Sequence, residues 1–167
     1  LCAVLSRRED IHLITFDLNN TPETLEPLIL QADTIVHLAG VNRPLQVEDF
    51  QTTNAGLTET LVATLRYANR PTPILLASST QAALDNPYGL SKRAAEDTVF
   101  AYGQQTGAAV YVYRLPNLFG KWCRPNYNSA VATFCHNIAR DLPIQINDAN
   151  ATLSLVYIDD LIDECLR

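Results

Sequence analysis

No apolar run in these 167 residues approaches the roughly 18 that a membrane-spanning helix needs, and no charged-then-apolar segment opens the chain. A membrane-embedded protein is therefore not expected, and the reading is cytoplasmic. Positive charge is scarce as well: 12 Lys and Arg, only two of them lysine, face 18 Asp and Glu, for a formal net charge of -6. The charges are scattered rather than blocked, which excludes an electrostatic grip on nucleic acid or anionic lipid and leaves a locally bound small ligand. The four cysteines, Cys2, Cys123, Cys135 and Cys165, form no C-x-x-C pair and share no spacing with His12, His37 or His136 that suits a tetrahedral metal. No metal is expected, and the thiols read as reduced and mostly buried. Among six glycines none falls in a G-x-x-G-x-x-G run, the backbone cradle for a dinucleotide pyrophosphate.

The material that is present suits one compact domain over residues 1–167, with 47% hydrophobic residues and a mean hydropathy of -0.01. Four short runs are apolar at nearly every position and β-rich: Ile11 to Phe16, Thr34 to Leu38, Ile74 to Ala77 and Val110 to Tyr113. Such runs predict buried parallel strands rather than half-exposed ones. Helices are predicted between them, over Pro22 to Leu30 with Thr21 as N-cap, through Glu48 to Tyr67, and through Tyr88 to Gln105 up to Gly107. The alternation β-α-β-α-β-α-β predicts an α/β, doubly wound Rossmann-like parallel sheet. Leu1 to Arg8 reads as the tail of an amphipathic helix. In this fold that helix follows a first strand and glycine turn, so the chain is expected to be a fragment truncated before both. The runs at Ile11 and Ile74 are the expected neighbours of the missing strand, and the fragment alone is expected to be aggregation-prone or partly molten and unable to bind a dinucleotide.

The strongest local signal is Tyr88-Gly89-Leu90-Ser91-Lys92, whose spacing of four puts Tyr88 and Lys92 on one helix face. Upstream, Ile74 to Ala77 runs into Ser78-Ser79-Thr80, placing hydroxyls at a strand's carboxyl end, where open α/β sheets bind ligands. A tyrosine phenol titrates near 10 and exchanges protons at neutral pH only if a nearby cation favours the phenolate. Lys92 is suited to be that cation, and Ser79 to hydrogen-bond a carbonyl or alkoxide while hydride moves to or from a nicotinamide. Serines after strands also serve as turn and N-cap residues. Asp17 ends the first of the four runs, where an acid holds adenosine ribose hydroxyls, and is equally a turn aspartate. His37-Leu38-Ala39-Gly40 ends the next in small residues that suit close cofactor approach, or a plain strand-to-loop passage.

His37-Leu38-Ala39-Gly40, Asn54 in Asn-Ala-Gly-Leu-Thr, Tyr88-x-x-x-Lys92, Arg114-Leu115-Pro116-Asn117-Leu118-Phe119-Gly120 and Tyr157-Ile158-Asp159-Asp160 resemble, in order, the signatures of extended short-chain dehydrogenases, the NAD-dependent epimerase/dehydratase family. Residues 37–44 and 120–135 further resemble the CapF/WbjC group of capsular polysaccharide reductases. That resemblance implies NAD(P)H-dependent reduction of a UDP-linked 2-acetamido-2,6-dideoxy-4-ketohexose, a step toward N-acetyl-L-fucosamine in surface polysaccharides. It implies Ser79, Tyr88 and Lys92 as the catalytic set. The cofactor would meet Asp17, Leu38, Ala39, Gly40, Tyr88, Lys92, Leu115 and Pro116. The UDP-sugar would meet Asn42, Arg43, Gln81, Asn117, Arg124, Asn126 and Asn128, with the loop from Lys121 to Asn128 over it. A homodimer is implied for the full-length protein, with a substrate-binding remainder and a cupin domain beyond this stretch. The choice between NAD(H) and NADP(H) is divided: the resemblance suggests NADPH, whereas the carboxylate of Asp17 in Asp17-Leu18-Asn19-Asn20 would repel a 2′-phosphate. A dehydratase is disfavoured because Thr80, Gln81, Ala82 and Ala83 offer no acid-base carboxylate; an epimerase or a non-catalytic binding module are the alternatives.

Overall fold

A computed structural model of the chain describes every residue except Leu18, Arg43 and Leu45. Two compact units make up the chain, Leu1–Arg114 and Leu115–Arg167. The first opens with a single helical turn, α1 (Cys2–Leu5), within the stretch Leu1 to Arg8 expected to be helical, with Leu5 buried. The strand expected over Ile11 to Phe16 is not formed: residues 11–17 carry no regular element. A strand exists only through its ladder, and an apolar β-rich run without a paired edge beside it has no place for its backbone N–H and C=O groups to bond.

The helix expected from Pro22 is present, entered through a 3₁₀ turn, Pro22–Thr24, before α2 (Leu25–Gln31). Proline suits this entry because its missing N–H is one the first turn leaves unpaired anyway. Thr21 precedes it in extended conformation, but its side chain makes no capping bond; the Thr24 hydroxyl instead donates to the Thr21 carbonyl at 2.7 Å. β1 (Ile35–His37) follows. The long helix after it begins as a π-helical stretch, Phe50–Gly56, before becoming α3 (Leu57–Tyr67). β2 (Ile74–Ser79) leads through a 3₁₀ turn, Thr80–Ala83, into α4 (Pro87–Thr106), and β3 (Val110–Leu115) closes the unit.

The sheet order is β1-β2-β3, with β1 and β2 parallel in the register Ile35↔Ile74, Val36↔Leu75, His37↔Leu76. β2 is therefore paired on both edges, and β1 and β3 are the outer strands among the described residues. This corrects the expectation that the run at Ile74 borders an unpaired position. Helix α4 is specified locally at both ends. The Asn86 side chain accepts from the Gly89 N–H at 2.7 Å, Pro87 occupies the first turn, and Gly107 ends the helix at φ 76°. Its inward residues recur at helical spacing through Ala95, Val99 and Tyr102. They meet Leu61, Val62 and Leu65 of α3, Ile29 of α2, and Ile74 and Leu76 of β2 in one core. Each such aliphatic contributes about 1.5–3 kcal/mol by leaving water. The Tyr102 hydroxyl satisfies itself on the carbonyls of Arg70 and Thr72, both at 2.9 Å.

The second unit pairs β4 (Asn117–Phe119) in parallel with β5 (Leu155–Tyr157), with Phe119 and Tyr157 ring centroids 5.4 Å apart. It also holds α5 (Ala130–Ile138), capped by the Ser129 hydroxyl, and α6 (Ile158–Cys165). The cysteines are free, but none is buried: Cys2 and Cys135 are exposed, Cys123 and Cys165 intermediate. Packing encloses none of them fully, so the general burial preference of free thiols does not decide their place.

Candidate active site

Strand β2 and helix α4 build the site. Ser79 is the last residue of β2, at its carboxyl end as expected, and its Oγ accepts the Gln81 N–H at 3.2 Å, capping the 3₁₀ turn. The turn-capping role and an outward donor role are compatible, since the bond occupies a lone pair and leaves the hydroxyl proton. Tyr88 and Lys92 lie four apart on α4. Lys92 is 5% exposed and donates from Nζ to the Ala77 carbonyl of β2 at 2.7 Å. Burial pushes its ammonium below the ordinary lysine pKa, and Glu96 pulls the other way. The Tyr88 ring packs against Phe50 of the π-helical stretch, centroids 5.6 Å apart.

Gly89 lets α4 lie this close. A Cβ there would stand 2.2 Å from the Gln81 carbonyl oxygen and 2.5 Å from that of Leu84, both backbone atoms. Gly40 has the same function on the loop after β1. Its Cβ would meet Asn54 Oδ1 at 2.8 Å and lie 3.6 Å from Lys92 Nζ, so this loop runs beside the lysine. Asn54, buried, holds the loop through both backbone groups of Val41. Its Oδ1 accepts the N–H at 2.8 Å and its Nδ2 donates to the C=O at 3.1 Å and to Ser91 Oγ at 2.9 Å. Ser91 in turn donates to the Tyr88 carbonyl at 2.8 Å. Deeper in, Ser78 donates to Glu96, which also takes the Arg114 guanidinium on both oxygens.

The other sequence-derived positions distribute as follows. Leu38, Ala39 and Gly40 are exposed after β1, and Asn42 follows them on the same loop. Arg43 lies outside the described residues. Asp17 sits in a turn closed by Asn20, whose side chain accepts the Asp17 N–H at 2.7 Å, rather than at a strand end. Gln81 is exposed on the 3₁₀ turn, with Oε1 3.4 Å from Asn86 Nδ2. In the second unit Leu115 ends β3, Pro116 separates it from β4, and Asn117 starts β4 with its amide 3.4 Å from the Ser154 carbonyl. Arg124 stacks its guanidinium 5.4 Å over the Tyr127 ring. Asn126, at φ 55°, donates its N–H to Thr133 Oγ1 at 2.9 Å, and Asn128 is exposed beyond it. Gly120, Lys121, Cys123 and Pro125 form one wall of a cleft completed by Tyr157 and α5. Glu96 and Gly89 were not singled out from sequence, although Glu96 stands four residues after Lys92 and Gly89 directly follows Tyr88.

A parallel sheet whose strand end carries a serine, backed by a helix with tyrosine and a buried lysine one turn apart, is the architecture of a Rossmann-like α/β protein, and the chain belongs to the NAD dependent epimerase/dehydratase family, matched over residues 3–167. Within that family it is 53% identical, over 97% of its length, to a UDP-2-acetamido-2,6-beta-L-arabino-hexul-4-ose reductase of Pseudomonas aeruginosa, of which it spans 44%. Its backbone superposes with a TM-score of 0.86 on the capsular polysaccharide assembling protein CapF of Staphylococcus aureus, at 46% identity, covering 99% of this chain and 45% of that one. A UDP-glucuronic acid 4-epimerase of Bacillus cereus in complex with NAD shares the fold at 20% identity, with a TM-score of 0.78 over 99% of this chain and 58% of that one. Among the described residues, no helix is long and apolar enough to cross a membrane.

Proposed function

We propose that residues 1–167 are part of the nicotinamide-dinucleotide-binding domain of a cytoplasmic reductase. Its substrate is a UDP-linked 2-acetamido-2,6-dideoxy-4-ketohexose used in surface polysaccharide synthesis. The observation that carries this reading is the 53% identity to a UDP-hexulose reductase along 97% of the chain. The donor set fits the nicotinamide end of such a cofactor. A buried ammonium has three protons, of which one is given to Ala77, and it stands at the carboxyl end of the sheet beside the Gly40 loop. When bound, the dihydronicotinamide supplies the hydride that reduces the carbonyl carbon.

The chain's own residues manage the proton. Tyr88 gives its hydroxyl proton to the carbonyl oxygen, and the Lys92 cation favours the phenolate left behind. Ser79 aims its remaining hydroxyl proton at the same oxygen while its lone pair is held by the Gln81 N–H. Asp17 favours NAD(H), because its carboxylate would repel a 2′-phosphate.

In the full-length protein, Tyr88→Phe should lower 4-keto reduction at least about a hundredfold with nucleotide-sugar binding nearly intact. Near-normal turnover would remove Tyr88 from this role. The same assay run with NADH and NADPH should show higher kcat/KM for NADH, and a strong NADPH preference would overturn the reading of Asp17.

A further inference from the structure

Lys92 and Glu96 lie one turn apart on α4 and both point inward, 5% and 2% exposed. Each is pinned to adjacent residues of β2: Lys92 Nζ to the Ala77 carbonyl, Glu96 to the Ser78 hydroxyl. From β3, Arg114 reaches Glu96 with Nε, at 3.0 and 3.1 Å from the two oxygens, and with a terminal nitrogen at 2.6 Å. We propose that Glu96 is a positioning residue whose charge keeps Lys92 a cation, and that Ser78 and Arg114 hold that charge in place; the proposal rests on the reading of Lys92 as part of the active site.

A buried ammonium with only a neutral carbonyl beside it loses its proton at lower pH than one in water, and a neutral amine cannot favour a phenolate. The groups that face Lys92 set the balance. From β1 comes His37, a buried imidazole pushed down to about 4 by burial first and then by the Lys92 charge, hence neutral near pH 7. From α4 comes Glu96, with Tyr88 one turn before the lysine. Arg114, on β3, sets positive charge against Glu96. Glu96 is the carboxylate that favours the charged lysine. Burial works against its own ionisation, but the hydrogen bonds from Arg114 and Ser78 outweigh burial and hold it below the usual carboxylate range. The competing role is a plain clasp tying α4 to β3. Glutamine would largely preserve a clasp, since its carbonyl still accepts from Ser78 or Arg114, but it carries no charge.

The test is the titration of Lys92 in the full-length protein, monitored by competitive acetic anhydride labelling against pH with mass spectrometry of the Lys92 peptide, alongside the pH profile of kcat/KM. Glu96→Gln should lower the apparent pKa of Lys92 by at least about one unit, and Glu96→Asp, which keeps the charge, should move it less. Loosened packing alone would raise it, because water returning to the ammonium relieves its burial. An unchanged or raised value in Glu96→Gln overturns the proposal. A lowered value with an unmoved alkaline limb of kcat/KM supports Glu96 as the counter-charge and removes Lys92 from the reaction. Should Glu96→Gln fail to fold, Arg114→Met reads the same coupling with the same sign. With the guanidinium that holds it gone, the buried Glu96 carboxylate loses the bond that favours its charge, so the Lys92 titration should fall, and an unchanged or raised value overturns the proposal.

Discussion

His37 illustrates how a single side chain acquires its chemistry from its surroundings. The Thr58 hydroxyl donates to the Asn54 carbonyl at 2.8 Å, so its only proton is committed. The 2.9 Å contact between His37 Nε2 and Thr58 Oγ1 must then run from an imidazole N–H, which fixes the tautomer. Burial, with the Lys92 charge adding to it, lowers the His37 pKa from 6.5 to about 4. The unfolded chain thus binds a proton below about 6.5 that the folded chain takes up only below about 4. Stability is retained above that window and lost as pH falls through it, by roughly 3 kcal/mol in all. Denaturant titrations of the full-length protein at stepped pH should show this acid limb. His37→Gln, whose amide can still donate to Thr58, should flatten it, and an equally steep limb in that variant would count against the assignment. From sequence, His37 was legible only as the start of a strand-to-loop passage. Its state depends on Thr58 and Lys92, which lie 21 and 55 residues away in the numbering.

At the scale of elements, α4 was the most legible because its stop signal is local: Gly107 ends it where the sequence reading placed the end, while the structure adds Asn86 and Pro87 at its start. The strand expected at Ile11 to Phe16 was not legible as irregular, because a ladder depends on a partner edge that composition does not report. The π-helical stretch Phe50–Gly56 was likewise read as ordinary helix. The dependence of α4 on its neighbours yields a prediction. Gly89→Ala would push its methyl into the Gln81 and Leu84 carbonyls, both backbone and unable to swing aside. The first turn of α4 must then shift, carrying Tyr88 with it. A loss of about 1–3 kcal/mol, read from the denaturant midpoint, is expected together with a larger loss of turnover than of stability alone. Unchanged midpoint and turnover in Gly89→Ala would show that the turn has slack the geometry denies.

For the whole molecule, buried apolar residues are very unevenly shared. The core lies in the first unit, whereas Ile162 alone is buried in the second, and residues 138–155 are exposed throughout. Hydrogen exchange on the 167-residue polypeptide should therefore protect amides of β2 and α4 at least about a hundredfold over those of residues 143–153. Uniformly fast exchange would mean the first unit's core does not form. Ile138, Ile144, Ile146 and Leu153 are exposed in the 138–155 stretch. Residues alone specified the α/β alternation, the three helices, and the strand-end serine with its tyrosine and lysine, because periodicity, caps and a spacing of four are properties of neighbouring positions. Tertiary structure alone decided which runs became strands, that β2 is central, that none of the thiols is buried, and that Ser78 and Arg114 hold a carboxylate one turn from the lysine. Those outcomes depend on ladders, burial and Coulomb interactions between segments distant in sequence, which only packing brings within reach.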